Sequence, residues 1–352
     1  MVDFNPEIIN ESKTTDSKRN HNIIDQTTQR NESPEIFDVA IIGAGFSGLS
    51  AALLLGRYLR KTVVFDNGNT RNHTSKYIHG YLGFENSSPQ EFLQKAWKDV
   101  LQYSVKVVKE KVTKVEKRED NNFNIFYESR TNSRQPIAKA KYLIIATGVQ
   151  DSKPNIENFE IFDGNGAWHC PHCDGFQTTN KKLGIITYGK NTISYAKEFL
   201  GWTRDITVFV QGNYQLTDID RNDAKTLGIK LVENDDIIRI SGNTNRCVEK
   251  IVCERNGSYE IDVIFYYLGY KVQNELAKQL GCELDGEEGF IKVNSSQQTT
   301  VRNVYAVGDV DTDRHYVVFA AASGAVAAIS IYELLLKEAI RNTRENKSRT
   351  CL

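Results

Sequence analysis

The sequence predicts an α/β protein built from two Rossmann-like nucleotide-binding modules with parallel sheets, and three observations predict it. Short β-branched and aromatic runs alternate with helical stretches along most of the chain, the pattern of strands joined through helices. A glycine-rich turn, Gly43-Ala44-Gly45-Phe46-Ser47-Gly48, lies between one such run and a helical stretch. A weaker echo recurs at Ile185-Ile186-Thr187, which also leads into a glycine-containing turn.

Residues 1–35 are polar with no sustained apolar period, and read as a flexible tail. Order begins at Phe37-Asp38-Val39-Ala40-Ile41-Ile42, a run suited to a strand buried on both faces. A helical stretch follows to about Tyr58, and Thr62-Val63-Val64-Phe65 forms the next strand, closed by Asp66. Further strand-like runs are 142–145, 183–186, 206–210 and 263–266, and Val304-Tyr305-Ala306-Val307 precedes Gly308-Asp309. The charge-free stretch Tyr316–Tyr332 is rich in alanine with Gly324. It is short for a membrane span and reads as a helix packed tightly inside the protein. Residues 339–352 read as a C-terminal tail.

Charge narrows the function. Lys and Arg total 44 against 45 Asp and Glu, leaving a net charge of -1. That balance gives no support to nucleic-acid binding, which leaves a basic excess or patch. Six cysteines are too few for a disulfide-stapled secreted fold. The N-terminus has no apolar core of a signal peptide, so a cytoplasmic protein is expected.

In the glycine turn, Gly43 permits the tight bend, Gly45 lets a pyrophosphate approach the backbone, and Gly48 allows close helix–strand packing. The helix N-terminus then offers unpaired N–H groups to phosphate. Asp66, at the end of the second strand, is placed to accept from ribose hydroxyls. The turn by itself does not distinguish FAD from NAD.

The chemically densest segment is Trp168-His169-Cys170-Pro171-His172-Cys173-Asp174-Gly175. C-x-x-C in a reducing compartment signals redox chemistry or metal binding. For redox work one thiolate attacks a disulfide and the second resolves it, helped by His169 or His172 lowering a thiol pKa. Asp174 is placed in sequence to carry a proton to a departing thiol. Zinc is the rival, with His169, Cys170, His172 and Cys173 as ligands, although four ligands within five residues struggle to surround one ion. Inert structural cysteines are the third possibility. No metal is expected.

Together these motifs resemble the thioredoxin reductase-like branch of the FAD-dependent pyridine nucleotide-disulfide oxidoreductases, over about residues 36–338. The landmarks are the Gly43/Gly45/Gly48 turn, Ala146-Thr147-Gly148, the Cys170–Gly175 segment and Gly308-Asp309-Val310. The resemblance implies an FAD domain of residues 36–150 and 271–338, interrupted by a second nucleotide-type domain, 151–270, that carries the cysteines. It implies FAD along the first module, with Thr147, Gly148, Gly308 and Asp309 among the cofactor-binding residues and Asp309 near the ribityl chain. It also implies Cys173 as the flavin-facing sulfur, Cys170 as the exchanging one, Asp174 as acid–base residue, and a homodimer. The partner implied is a thioredoxin-like protein or a small disulfide or dithiol.

Two departures bear on the electron donor. The second turn reads Thr187-Tyr188-Gly189-Lys190-Asn191-Thr192, and Gln211-Gly212-Asn213 stands where reductases hold the 2′-phosphate. This is not a sound NADPH site, and ferredoxin is an alternative donor. Val317-Val318 stands where reductases carry Arg-Gln, while Thr70-Arg71-Asn72 with His79-Gly80-Tyr81-Leu82 is similar to the dithiol oxidase subgroup. Asp174 matches the reductases. The expected function is thiol–disulfide exchange through FAD in either direction, with oxygen as acceptor in the oxidase version. A non-enzymatic flavin redox sensor is the alternative.

Overall fold

The computed structural model describes residues 34–128, 138–243, 245 and 247–350. Of the tail expected over 1–35, residues 1–33 lie outside the described residues. The first sheet opens with β1 (Glu35–Ile42), α1 (Phe46–Arg57) and β2 (Thr62–Phe65), followed by α2 (Pro89–Val100) and β3 (Val105–Val108). A meander follows, of β4 (Val112–Lys117), β5 (Phe123–Tyr127) and β6 (Ala138–Ile145). β1 pairs in parallel with both β2 and β6, with Ile42 opposite Phe65 and Ile145. From Val39 onward alternate residues of β1 enter different cores, Ala40 and Ile42 on one face, Val39 and Ile41 on the other. A strand buried on both faces has no polar side to show, which explains the apolar run that follows Asp38.

The chain then leaves this sheet through β7 (Val149–Asp151), α3 (Phe159–Phe162), β8 (Ala167–Trp168) and the single turn α4 (Pro171–Asp174). A second parallel sheet takes β9 (Leu183–Thr187), α5 (Thr192–Lys197), β10 (Ile206–Val210), α6 (Asp218–Leu227) and β11 (Lys230–Val232). An antiparallel flap of β12 (Ile237–Gly242), β13 (Val248–Cys253) and β14 (Gly257–Glu260) covers it before β15 (Val263–Tyr267) completes the order β11-β10-β9-β15-β8. β16 (Tyr270–Val272) runs back antiparallel to β7, so the outgoing and returning chains form one two-stranded ribbon. After α7 (Glu275–Leu280), β17 (Leu284–Asp285) and β18 (Phe290–Ile291), β19 (Val304–Ala306) rejoins the first sheet beside β6. The first sheet is thus assembled from segments on both sides of the second.

α8 (Val317–Thr350) closes the fold against α1. A Cβ at Gly324 would collide with the backbone oxygen of Ser47, and Ser50 Oγ donates to Ala321 O at 2.7 Å. Ala327, Ala328, Ile331 and Leu335 are buried, but Val318, Phe319, Val326, Ile329, Leu336 and Ile340 are exposed. The expectation of a helix buried all round therefore holds for one face only. Small residues let the two helices approach closely, and the bulky residues stand on the opposite side. By length and composition alone, Val317–Asn346 would suffice to cross a membrane. The tail expected from residue 339 is also corrected: the helix continues to Thr350, because no Gly or Pro interrupts the chain after Gly324.

Candidate functional site

The first glycine turn joins β1 to α1. Gly43 has φ +105°, and a Cβ there would collide with Ala146 O. A Cβ at Gly48 would collide with Gly43 O, so the helix sits against the turn only because both residues lack side chains. Gly45 differs: a Cβ there would meet nothing within 4 Å, leaving backbone open to a ligand. Gly45 is also the N-cap of α1 and supplies no side-chain cap, which leaves the first-turn N–H groups for an anion. Asp66 Oδ1 accepts from Ala44 N at 3.3 Å, tying the end of β2 to the same turn. Burial raises its pKa, while the Gly68 and Ala44 N–H groups oppose the rise. This turn, open backbone and adjacent acid fit the pyrophosphate and ribose of a dinucleotide.

The other residues expected to hold the cofactor line up around this turn's strand. Thr147 Oγ1 donates to Gln273 O at 2.6 Å, and Gln273 N donates to Gly148 O at 2.9 Å. The end of β6 is thereby fastened to the chain returning from the second sheet. Gly308 takes φ +78° and its N–H donates to Ser323 Oγ at 2.9 Å, setting the N-terminal part of α8 beside the turn. Asp309 Oδ2 accepts from Arg71 Nη1 at 3.0 Å.

Cys170 and Cys173 are joined as a disulfide with their Cα atoms 5.2 Å apart. Cys170 is the N-cap of α4, with its Sγ accepting from Cys173 N at 3.1 Å. Pro171 at the first helical position suits a helix start. A Cβ on Gly175 would press into the Trp202 ring, so that glycine lets the segment lie flat on the second module. His172 is exposed and faces Glu198, Nε2 to Oε2 3.5 Å. His169 is instead drawn toward Asp151, 3.6 Å away, and burial lowers its pKa. Neither ring hydrogen-bonds a sulfur among the described residues. Burial pushes the Asp174 carboxyl up to about 7, with His79 opposing the rise.

Arg71 and Asp151 were not among the residues singled out for the site, yet they join its parts. Arg71 grips Asp151 with Nε and Nη2, at 2.7 and 2.6 Å, while Nη1 holds Asp309. His169 then faces Asp151 from the residue before Cys170. A chain of polar side chains, Asp309–Arg71–Asp151–His169, therefore runs from the Gly308 turn to the cysteine segment. Arg71 lay in a stretch of suggestive resemblance, but Asp151 carried no motif at all.

The second module's turn is occupied by its own side chains. Thr192 Oγ1 donates to Gly189 O at 2.6 Å and lies 3.0 Å from Thr187 Oγ1, both threonines being buried. Gln211 is consumed structurally: Nε2 donates to Asp235 O at 3.2 Å and Oε1 accepts from Ile237 N at 2.8 Å. Tyr188 packs beside Gly212, and burial with the nearby negative Asp236 raises its pKa.

Residues 37–328 match the model of the pyridine nucleotide-disulphide oxidoreductases. The chain belongs to that family. Membership implies a bound FAD, which the open Gly45 turn accommodates. Among relatives of this oxidoreductase, thioredoxin reductase sirT of Leptosphaeria maculans is 26% identical over 313 residues, covering 85% of this chain and 94% of sirT. Of solved structures, HlmI superposes with a TM-score of 0.81 at 26% identity, covering 92% of this chain and 99% of HlmI. TrxB of Bacillus anthracis gives 0.77 at 27% identity, over 86% and 99% of the respective chains. The oxidoreductase is thus a distant relative of thioredoxin reductases and shares their mixed α/β fold with parallel sheets.

Proposed function

We propose that the protein is an FAD-dependent thiol–disulfide oxidoreductase whose electrons pass between the flavin and the Cys170/Cys173 pair. The observation that carries this reading is the Asp309–Arg71–Asp151–His169 chain, which ties the cysteine segment to the Gly308-Asp309 end of the first module. Gly43, Gly45, Gly48 and Asp66 would hold the pyrophosphate and ribose, with Thr147, Gly148, Gly308 and Asp309 completing the cradle. FAD, when bound, would supply a two-electron carrier. Cys173 is the sulfur assigned to face it, and Cys170 exchanges with an outside disulfide or dithiol. Asp174 manages the proton of the sulfur that leaves.

The direction favoured is from dithiol to flavin, with oxygen as final acceptor. The buried Thr187 and Thr192 and the locked Gln211 side chain support it, since threonines stand at the two turn positions that are glycine in the first module and the side chain at the end of β10 is not left to hold a ribose. Phe176 is 73% exposed beside the pair, a surface for an apolar small dithiol or a thioredoxin-like protein. The exposed apolar stripe of α8 supports a homodimer. A cytoplasmic site of action agrees with chemistry that turns over thiols.

Anaerobic flavin absorbance tests the reading. A dithiol is expected to bleach the flavin, air to restore it, and NADPH, NADH or reduced ferredoxin to act far more slowly. Rapid bleaching by NADPH would reverse the assigned direction. Cys173→Ser is expected to keep the flavin and lose transfer, and retained turnover would remove the cysteine pair from the mechanism.

A further inference from the structure

The loop between β2 and α2 reaches from the first module to Asp174 in the second. It is closed on itself: Ile78 N donates to Ser87 O at 2.8 Å and Asn86 N to Ile78 O at 3.0 Å. Within it Glu85 binds twice, accepting from Gly80 N at 2.8 Å through Oε2 and meeting His79 Nδ1 at 2.7 Å through Oε1. The Glu85 side chain is 54% exposed, whereas that of His79 is 11% exposed and that of Asp174 16%. With Nδ1 held by a carboxylate, the imidazole directs Nε2 inward. Nε2 lies 3.9 Å from Asp174 Oδ1, longer than a hydrogen bond. Contacts of this kind tighten when substrate binds.

From this geometry we infer that Glu85 and His79 form a proton path from solvent to Asp174, serving the cysteine pair across the boundary between the modules. The inference rests on the reading of Cys170/Cys173 as the redox pair. When a dithiol is oxidised, one substrate thiolate attacks Cys170, the Cys170–Cys173 bond breaks, and Cys173 leaves as a thiolate. The second substrate thiolate then attacks the first substrate sulfur, closing the product disulfide and releasing Cys170. The dithiol loses two electrons and the cysteine disulfide gains them. Asp174 protonates a departing sulfur and is reloaded from His79, which exchanges with water through Glu85. The reverse reaction uses the same path outward.

His79 and Glu85 act through Asp174 and are positioning residues. Burial puts the Asp174 carboxyl near 7, so it can both give and take a proton at neutral pH. The titratable groups that bear on it are His79 from the loop and Tyr195 from α5, the cysteines on its own turn being joined as a disulfide. Tyr195 is held neutral by burial, and its hydroxyl is committed to the His169 and Tyr266 carbonyls. That leaves His79 as the exchanging neighbour.

The test is stopped-flow bleaching of the flavin-loaded protein by dithiothreitol, without oxygen, on both sides of neutral pH. His79→Asn is expected to slow reduction by about 10²-fold, and Glu85→Gln by about threefold to tenfold. Added imidazole should restore much of the His79→Asn rate, and both variants should gain a dependence on buffer concentration. A merely structural role would produce neither response. Variants as fast as wild type, or slow ones that ignore imidazole and buffer, overturn the relay. Should His79→Asn not fold, Glu85→Gln decides by the same criteria. A wild type that dithiothreitol cannot bleach removes the functional reading and the relay with it, whereas bleaching at equal rates in all three proteins removes the relay alone.

Discussion

The two nucleotide-type turns of this protein share a backbone plan and differ in what fills it. After β1, two glycines let helix and strand meet, and a third leaves its backbone open. After β9, Thr187 and Thr192 stand at the two outer glycine positions, their buried hydroxyls satisfying each other and Gly189 O, while the middle glycine, Gly189, again has open space beside it. Asp66 closes the first site toward a ribose, while Gln211 at the end of β10 turns inward to brace the loop before β12. Topology survives such changes because each module keeps its own apolar core. Ligand capacity does not, because it depends on a few atoms being absent.

Five substitutions would break or sharpen that contrast. Gly43→Ala should be the most damaging, by at least about 4 kcal/mol, since it combines a positive φ with a backbone collision. In the second turn the one retained glycine corresponds to Gly45, and Gly189→Ala meets open space and should stay within about 0.5 kcal/mol. Urea midpoints for the two variants compare the turns directly, and equal losses would erase the distinction.

Arg71→Gln should cost roughly 3 kcal/mol, because it leaves Asp151 and Asp309 partly buried without their cation. Flavin content measured alongside stability would show whether the first site also loosens. A change below about 0.5 kcal/mol would mean that the charge chain is not what joins the two regions.

Asp174 gives a pH-dependent test. Its folded-state pKa lies above the ordinary carboxylate value, 3.8 rising to about 7, so the folded protein holds this proton where the unfolded chain releases it. The associated stability is complete below about pH 4 and is lost as pH climbs through about 7. Relative to Asp174→Asn, wild type should therefore weaken by roughly 3 kcal/mol between about pH 5 and about pH 8. Parallel profiles would mean that the carboxyl is well solvated.

Thr192→Val is expected to cost about 1 kcal/mol by stripping partners from Thr187 and Gly189. It should not create nicotinamide binding, because Gln211 still fills the strand end. Measurable NADPH affinity in this variant would show that the threonine pair alone closes the second site.

Much of the candidate site was legible because its signals are local. The Gly43–Gly48 spacing, Asp66 at a strand end and Cys170-Pro171-His172-Cys173-Asp174 are each contiguous or one strand apart. That a helix closes the chain was legible, although its length was not: residues 339–352 read as a tail, yet no Gly or Pro after Gly324 ends the helix before Thr350. The face it exposes was not, because alanine-rich sequence does not say which side meets α1. Arg71 lies 80 residues from Asp151 and 238 from Asp309, and such a pairing has no periodicity to betray it.

The sequence by itself determined the two-module α/β plan, the glycine turn after β1 and the cysteine pair spaced for a disulfide. Those follow from strand and helix patterning, from glycines that only one geometry requires, and from a four-residue spacing. Tertiary structure alone decided that Arg71 bridges Asp151 and Asp309, that Gln211 turns inward to Asp235 and Ile237, and that His79 faces Asp174. Each depends on side chains brought together from distant segments, where burial and opposing charge set the chemistry and chain order carries no record of it.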